Sequence, residues 1–333
     1  MGKKIFPCFT ISLCFIVTLS LLMSKYPVSH GQSLDYNFYA RSCPNLLNIV
    51  RYGVMLAVRN DTRMAASLLR LHFHDCIVDG CEASVLLDDT DDFKGEKNTV
   101  ANGDSLRGYE VIDDIKAAIE RVCPATVSCA DIVALAAREA VLAVRGIFWP
   151  VPLGRRDGTT ASQEAVNKQI PSPFEPLEKI IEKFTNKGLD FKDVVVLSGA
   201  HTLGYSRCLL VKGRLYNFRG SGKPDPALDS SLRSNLQSMC PDAGSSDNNL
   251  APFDRTPYTF DNVYYTSVRN NAGLLQSDHA LMGDPRTAAL VNRYSTNPSL
   301  YPSDFIASMG KLGNVGVLTG QDGEIRQKCG SVN

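Results

Sequence analysis

Arg70-Leu71-His72-Phe73-His74-Asp75-Cys76 is the stretch that decides how the rest of the chain is read. On a helix, Arg70, Phe73 and His74 stand at i, i+3 and i+4 and share one face, while His72 points elsewhere. A guanidinium beside an imidazole, over an aromatic ring, is costly to bury without partners. Spacing alone leaves two explanations open. The face is either a helix end with a surface arginine and a hydrogen-bonded histidine, or one wall of a reactive site.

Helical periodicity dominates outward from that stretch. Thr62 to His74 reads as a helix with Asp61 as its N-cap, preceded by a helix from Leu46 to Val58. Tyr109 to Val122, Ser128 to Val144, Phe260 to Arg269 and Ser303 to Met309 carry the same pattern. Asp190 can cap a helix through Val194, Leu197, Ser198 and His201. Strand signals are few and short. Asp88 to Asp104, Gly146 to Pro173 and Arg219 to Pro257 are rich in Gly, Pro and Asp and read as long loops. The expected fold is mainly α-helical.

His201 is the second candidate, within Ser198-Gly199-Ala200-His201-Thr202-Leu203-Gly204. Gly199 and Ala200 leave space for a flat, bulky group, and neutral imidazole is a common axial ligand of haem iron. The competing explanation is a hydrogen-bonded core histidine. A cation loop is the third candidate. Asp75, Glu82 and Ser84 offer hard oxygen ligands, and a ring closed between Cys76 and Cys81 aims carbonyls of Asp75, Val78 and Gly80 inward. That chemistry suits Ca2+ better than a transition metal; the alternative is a solvated acidic loop. The histidines lack zinc spacing, and the chain has neither a GxSxG elbow nor a phosphate-cradling glycine loop.

The ends and the cysteines set the compartment. Lys3 and Lys4 precede an apolar run from Ile5 to Met23, which reads as a secretory signal cleaved before Gln32; the alternative is a signal anchor, since the run is close to a spanning length. Without residues 1–31 the 35 basic residues fall to 32 against 35 acidic ones, about −3. No basic excess points to nucleic acid, and no other segment is apolar enough to cross a membrane. Of the ten cysteines, Cys8 and Cys14 lie in the leader. The remaining eight are an even set, as expected for four disulfides, with Cys76–Cys81 the one pair that spacing favours. Asn60-Asp61-Thr62 is the only open glycosylation sequon.

RLHFHDC (70–76), GCEASVLLDD (80–89), VSCADI (127–132), VPLGRRD (151–157), LSGAHTLG (197–204) and QSDHAL (276–281) occur in this order. Together they resemble the secretory, class III, plant haem peroxidases over essentially all of Gln32–Asn333. The resemblance implies a two-domain helical fold, with a distal half at 32–165, a proximal half at 166–333 and one haem b between them. It places Arg70, Phe73, His74 and Asn102 as distal catalytic residues and His201 as the proximal iron ligand. Asp278 hydrogen-bonds that ligand, and the carbonyl of Pro171 meets aromatic donors. Disulfides Cys43–Cys123, Cys76–Cys81, Cys129–Cys329 and Cys208–Cys240 are implied.

Two calcium ions follow from the same likeness. The distal set is Asp75, Val78, Gly80, Glu82 and Ser84, with Glu96 behind it; Glu82 stands where aspartate is usual. The proximal set is Thr202, Thr256, Thr259 and Asp261, with an aspartate three residues before Thr256. That position holds Phe253, and aspartate comes one later, at Asp254. Either the loop shifts by one residue or a ligand is lost. The implied activity is reduction of hydrogen peroxide with one-electron oxidation of phenols, by a monomer secreted to the cell wall space. The rivals are a secreted haem- or calcium-binding protein without turnover, and a disulfide-rich zinc hydrolase.

Overall fold

A computed structural model describes residues 1–2 and 33–333. The expected leader therefore falls almost wholly outside the described residues. Thirteen α-helices, six short 3-10 turns and one two-stranded sheet make up the described part.

The distal frame is built from four helices: α1 (Leu46–Asn60), α2 (Met64–Ile77), α3 (Tyr109–Glu120) and α4 (Cys129–Ala143). Each turns an apolar stripe inward, such as Leu46, Val50, Val54 and Val58 on α1. α4 is the hub. It is buried from Cys129 to Val141 and packs against α1, α2 and α3. Because α4 has no solvent face, its charged residues need partners. Asp131 takes Arg155 at 2.7 Å, both side chains fully buried, and also accepts from the Tyr39 hydroxyl at 2.9 Å. Asp157 closes the start of α4 by accepting from the backbone N–H of Cys129 and Ala130. The VSCADI and VPLGRRD stretches thus lock each other. Their role is structural, and removing one partner of such a buried pair costs about 3–5 kcal/mol.

α2 begins later than its pattern predicts. Arg63 holds the cap position without a side-chain bond. Asp61 still accepts from the Arg63 backbone N–H at 3.0 Å just ahead of the helix, while its carboxylate also takes the Arg63 and Arg107 side chains at 3.1 and 2.7 Å.

The second half contains α5 (Gln163–Gln169), α6 (Leu177–Thr185), α7 (Phe191–Ser198), α8 (Lys212–Tyr216) and α9 (Ser230–Met239). It ends with α10 (Val263–Arg269), α11 (Gln276–Ala280), α12 (Pro285–Thr296) and α13 (Leu300–Leu312). Two segments expected to be loops hold helices. Ser162 caps α5 and Asp229 caps α9; both helices are too polar to show a strong stripe. β1 (Tyr205–Arg207) pairs antiparallel with β2 (Leu250–Pro252). The expected division after residue 165 falls within α5, and Ser33–Asn333 pack as one compact unit.

α7 carries the second histidine. A capping box between Asp190 and Asp193 starts it. Asp193 then anchors it to α13, accepting from Lys311 at 2.8 Å and from the Ser308 hydroxyl at 2.7 Å. The α-helix stops at Ser198, and His201 sits in the 3-10 turn Gly199–Thr202. The space at Gly199 is not open for a flat group. A Cβ there would lie 2.3 Å from the Tyr265 hydroxyl, so the missing side chain makes room for buried tyrosines.

The candidate active site

On α2, the face predicted from spacing is real. His74 is buried, and its Nε2 accepts from Arg70 Nε at 3.1 Å. Its Nδ1 must then carry the proton and donate to Asn102 Oδ1 at 2.7 Å. Asn102 is itself oriented, because its amide donates to the Glu96 carbonyl at 3.1 Å. Burial, reinforced by the charge of Arg70 and opposed by Asn102, holds the imidazole well below its usual pKa. The ring is therefore neutral near pH 7, with Nε2 as its basic nitrogen. Arg70 donates to the carbonyls of Ser105 and Ala101 at 2.8 and 3.1 Å and has no carboxylate partner. Burial lowers its pKa to about 10, which leaves it cationic at neutral pH. Phe73 stands at 6.0 Å from His74, edge to face, and contacts Phe184 of α6. His72 is buried on another face beside Cys76 and takes no part.

His201 has the opposite surroundings. Its Nδ1 lies 2.8 Å from Asp278 Oδ1 on α11. Phe253 stacks on its ring at 4.3 Å and 5°, and Tyr264 stands edge-on at 6.0 Å. Asp278 also accepts from the Tyr264 hydroxyl at 3.0 Å and from the Leu275 N–H at 2.9 Å. The His201 side chain is 35% exposed although Asp278 is buried, so Nε2 is left facing open space. An imidazole anchored at Nδ1 and free at Nε2 fits an iron ligand. The proximal turn and the distal helix touch: a Cβ at Gly204 would lie 2.7 Å from the Ala66 side chain. The loop bearing Pro171 also reaches this region, since Ser277 N–H donates to the Pro173 carbonyl at 3.1 Å.

The two carboxylate loops differ. In the distal loop, both Asp75 oxygens, the Ser84 hydroxyl and both Glu96 oxygens are buried without a hydrogen-bond partner. Burial raises the pKa of Asp75, Glu82 and Glu96, the last to about 7. Orphaned oxygens of this kind fit a hard cation. Val78 and Gly80 carbonyls already accept from Lys187 and from Glu82 N–H, each keeping one lone pair. One Glu82 oxygen accepts from Ser84 N–H at 3.2 Å, and the other lies against Gly158.

In the proximal loop, Asp254 is the aspartate that stands beside Thr202. The Thr202 hydroxyl contacts Asp254 at 2.9 Å and Asp261 at 3.0 Å, and Asp254 also accepts from Thr256. Thr259 joins only through its backbone, to the Thr256 carbonyl. Among the described residues, no three His, Cys, Asp or Glu side chains gather to hold a metal. Each set therefore joins two carboxylates, Asp75 and Glu82 or Asp254 and Asp261, to hydroxyls and carbonyls.

The structure pairs Cys43–Cys123, Cys76–Cys81, Cys129–Cys329 and Cys208–Cys240. Asn60 is exposed at the end of α1. Phe253 and Tyr264 had no functional signal in the sequence. Phe253 looked like a gap in an ion site, and nothing in the spacing ties Tyr264 to Asp278. An open cleft of about 650 Å³ lined by Arg51, Arg59, Arg145 and Tyr258 shares only Thr259 with the expected sites.

Residues 50–297 match the family model described as peroxidase. The chain is 60% identical to Peroxidase 10 of Arabidopsis thaliana, over 90% of this chain and 86% of that one. It is 48% identical to Peroxidase 4 of Vitis vinifera, over 97% and 99%. It is 45% identical to the lignin-forming anionic peroxidase of Nicotiana tabacum, over 96% and 99%.

Proposed function

Because the chain belongs to the class III plant peroxidase family and is a haem enzyme acting on hydrogen peroxide, we propose that it oxidises phenolic donors one electron at a time. His74 and His201 would then serve the haem in different roles, one as base and one as ligand. Haem, when bound, would supply the redox chemistry: the haem group as a whole gives two electrons to peroxide and recovers one from each of two donors. The rest is done by side chains. His74 Nε2 takes the proton from one peroxide oxygen and returns it to the other as the O–O bond breaks. Asn102 keeps the second ring proton on Nδ1. Arg70 leaves its contact with Nε2 to offset the negative charge that develops on the departing oxygen. His201 would hold the iron, and Asp278 would fix its ring and strengthen its donation to the metal. Phe73 would restrict access from the distal side, and the Pro171 carbonyl would accept from the donor's hydroxyl.

The observation that carries this is the pair of Nδ1 bonds. One histidine is anchored to a neutral amide and kept as a base; the other is anchored to a carboxylate and kept as a ligand. The lignin-forming name of a relative supports phenols as the donor class. Calcium would sit at Asp75, Val78, Gly80, Glu82 and Ser84, and at Thr202, Asp254, Thr256, Thr259 and Asp261. We further propose that the enzyme is a secreted monomer, cleaved before Gln32 and glycosylated at Asn60, with its halves about the haem as 32–165 and 166–333. No helix among the described residues is long and apolar enough to cross a membrane. Stopped-flow mixing of the haem-loaded protein with peroxide tests the central proposal. A fast shift of the Soret band, reversed by two equivalents of a phenol, is expected. No shift would leave a haem-binding protein without turnover.

A further inference from the structure

The Tyr264 hydroxyl is the one donor around His201 to which the mechanism above gives no task. Tyr264 is 1% exposed and Asp278 2%, so water does not compete for their bond. Asp278 Oδ1 receives two donors, His201 Nδ1 at 2.8 Å and the Tyr264 hydroxyl at 3.0 Å. Its Oδ2 is occupied by Leu275 N–H at 2.9 Å, which stops the carboxylate from turning away. Two donors on one carboxylate oxygen share its electron density, and in a dry site each bond weakens the other.

We propose that Tyr264 is a positioning residue that limits how strongly Asp278 draws the Nδ1 proton of His201, and thereby sets how much electron density His201 can give the iron. This rests on His201 being the iron ligand. A purely structural role for Tyr264 has a built-in comparison next door. Tyr265 is equally buried, but its hydroxyl donates to the Val195 and Val196 carbonyls at 3.1 and 3.3 Å and does not touch Asp278.

The experiment uses the haem-loaded full-length protein and the variants Tyr264→Phe, Tyr265→Phe and Asp278→Asn. It reads the ferric/ferrous midpoint by spectroelectrochemistry and the iron–histidine stretching band of the reduced form by resonance Raman. Tyr264→Phe should shift the equilibrium toward the ferric form by roughly fivefold, the size of one net hydrogen bond, and raise the stretching frequency. Asp278→Asn should move both in the opposite sense and further, because an amide accepts less strongly than a carboxylate. Tyr265→Phe should move neither. If Asp278→Asn shifts both readouts while Tyr264→Phe shifts neither, the role of Tyr264 is overturned and the proximal assignment stands. Equal shifts in Tyr264→Phe and Tyr265→Phe would mean packing alone, and also overturn it. If Asp278→Asn is silent as well, the His201–Asp278 assignment fails and takes this proposal with it.

Discussion

His74 and His201 are the same side chain with the same anchored atom, and their surroundings make them opposites. His74 Nδ1 meets the neutral amide of Asn102 at 2.7 Å; His201 Nδ1 meets the carboxylate of Asp278 at 2.8 Å. The neutral partner fixes a tautomer without adding electron density. The charged partner does both. A cation stands beside His74 and none contacts His201, so the first ring is pushed toward its neutral form and the second toward a stronger σ-donor. The difference teaches that a histidine's role is set by the atom facing its second nitrogen, not by its own position on a helix.

The harshest way to break the comparison is His74→Ala. It should retain haem, since His201 is untouched, but slow peroxide cleavage by about 10²–10⁴-fold, the range for a lost general base. A stopped-flow rate within a few-fold of the unaltered enzyme would refute the assigned role. Arg70→Leu should cost about 10²–10³-fold through lost charge stabilisation. It also has a pH signature. Only neutral His74 can take a proton, so the rate falls as pH drops through its pKa. Arg70 helps hold that pKa low, and its loss should move the acid limb to higher pH. A limb that stays in place would separate Arg70 from the electrostatics of His74.

How much of this was legible varies with distance along the chain. The Arg70, Phe73, His74 face could be read because it lies within one helical turn. Asn102 lies 28 residues from His74, and Asp278 lies 77 from His201. No periodicity spans such gaps, so only the likeness to a family brought them forward. α1 and α3, each with a clear stripe, and α4, with a long apolar run, were found within a few residues. α5 and α9 were missed because polar residues fill them and leave no strong apolar stripe, although Ser162 and Asp229 cap them. Gly199 misled for a physical reason: a missing side chain shows that something comes close, and here it is Tyr265 rather than a ligand. The quoted motifs also proved mixed. VSCADI and VPLGRRD fold the protein, while RLHFHDC and LSGAHTLG hold the residues proposed for its chemistry.

The ion loops repeat the distal–proximal contrast at smaller scale. Distal Asp75, Ser84 and Glu96 have orphaned oxygens, whereas proximal Asp254 and Asp261 already accept from the N–H groups of Thr256 and Val263, and the Thr202 hydroxyl lies within reach of both. Chelation should therefore strip more stability from the distal side. An ion held at about 100 times its dissociation constant contributes about 2.7 kcal/mol. The melting temperature should fall on verified calcium removal. Asp75→Asn should narrow the gap between loaded and stripped protein more than Asp254→Asn does. Equal narrowing would erase the contrast, and no fall at all would end the case for structural calcium.

The smallest expected effect sharpens the comparison most finely. Phe253 and Asp254 are adjacent, yet one stacks flat on His201 and the other contacts Thr202. His74 has no such lid; Phe73 meets it only edge-on at 6.0 Å. The ligand ring is thus clamped, while the base ring can adjust to a moving proton. An aromatic stack is worth about 0.5–1.5 kcal/mol beyond burial. Phe253→Leu should lower stability by about that much and speed haem loss several-fold. It should leave calcium affinity intact, because Asp254 keeps its own partners, and should leave the peroxide step within about twofold, because His74 is untouched. Haem transfer to apomyoglobin reads the first effect and stopped-flow mixing the last. A large loss of peroxide rate with haem fully retained would mean that the two faces are coupled through the proximal ring, and that the division of labour drawn from their Nδ1 partners is too clean.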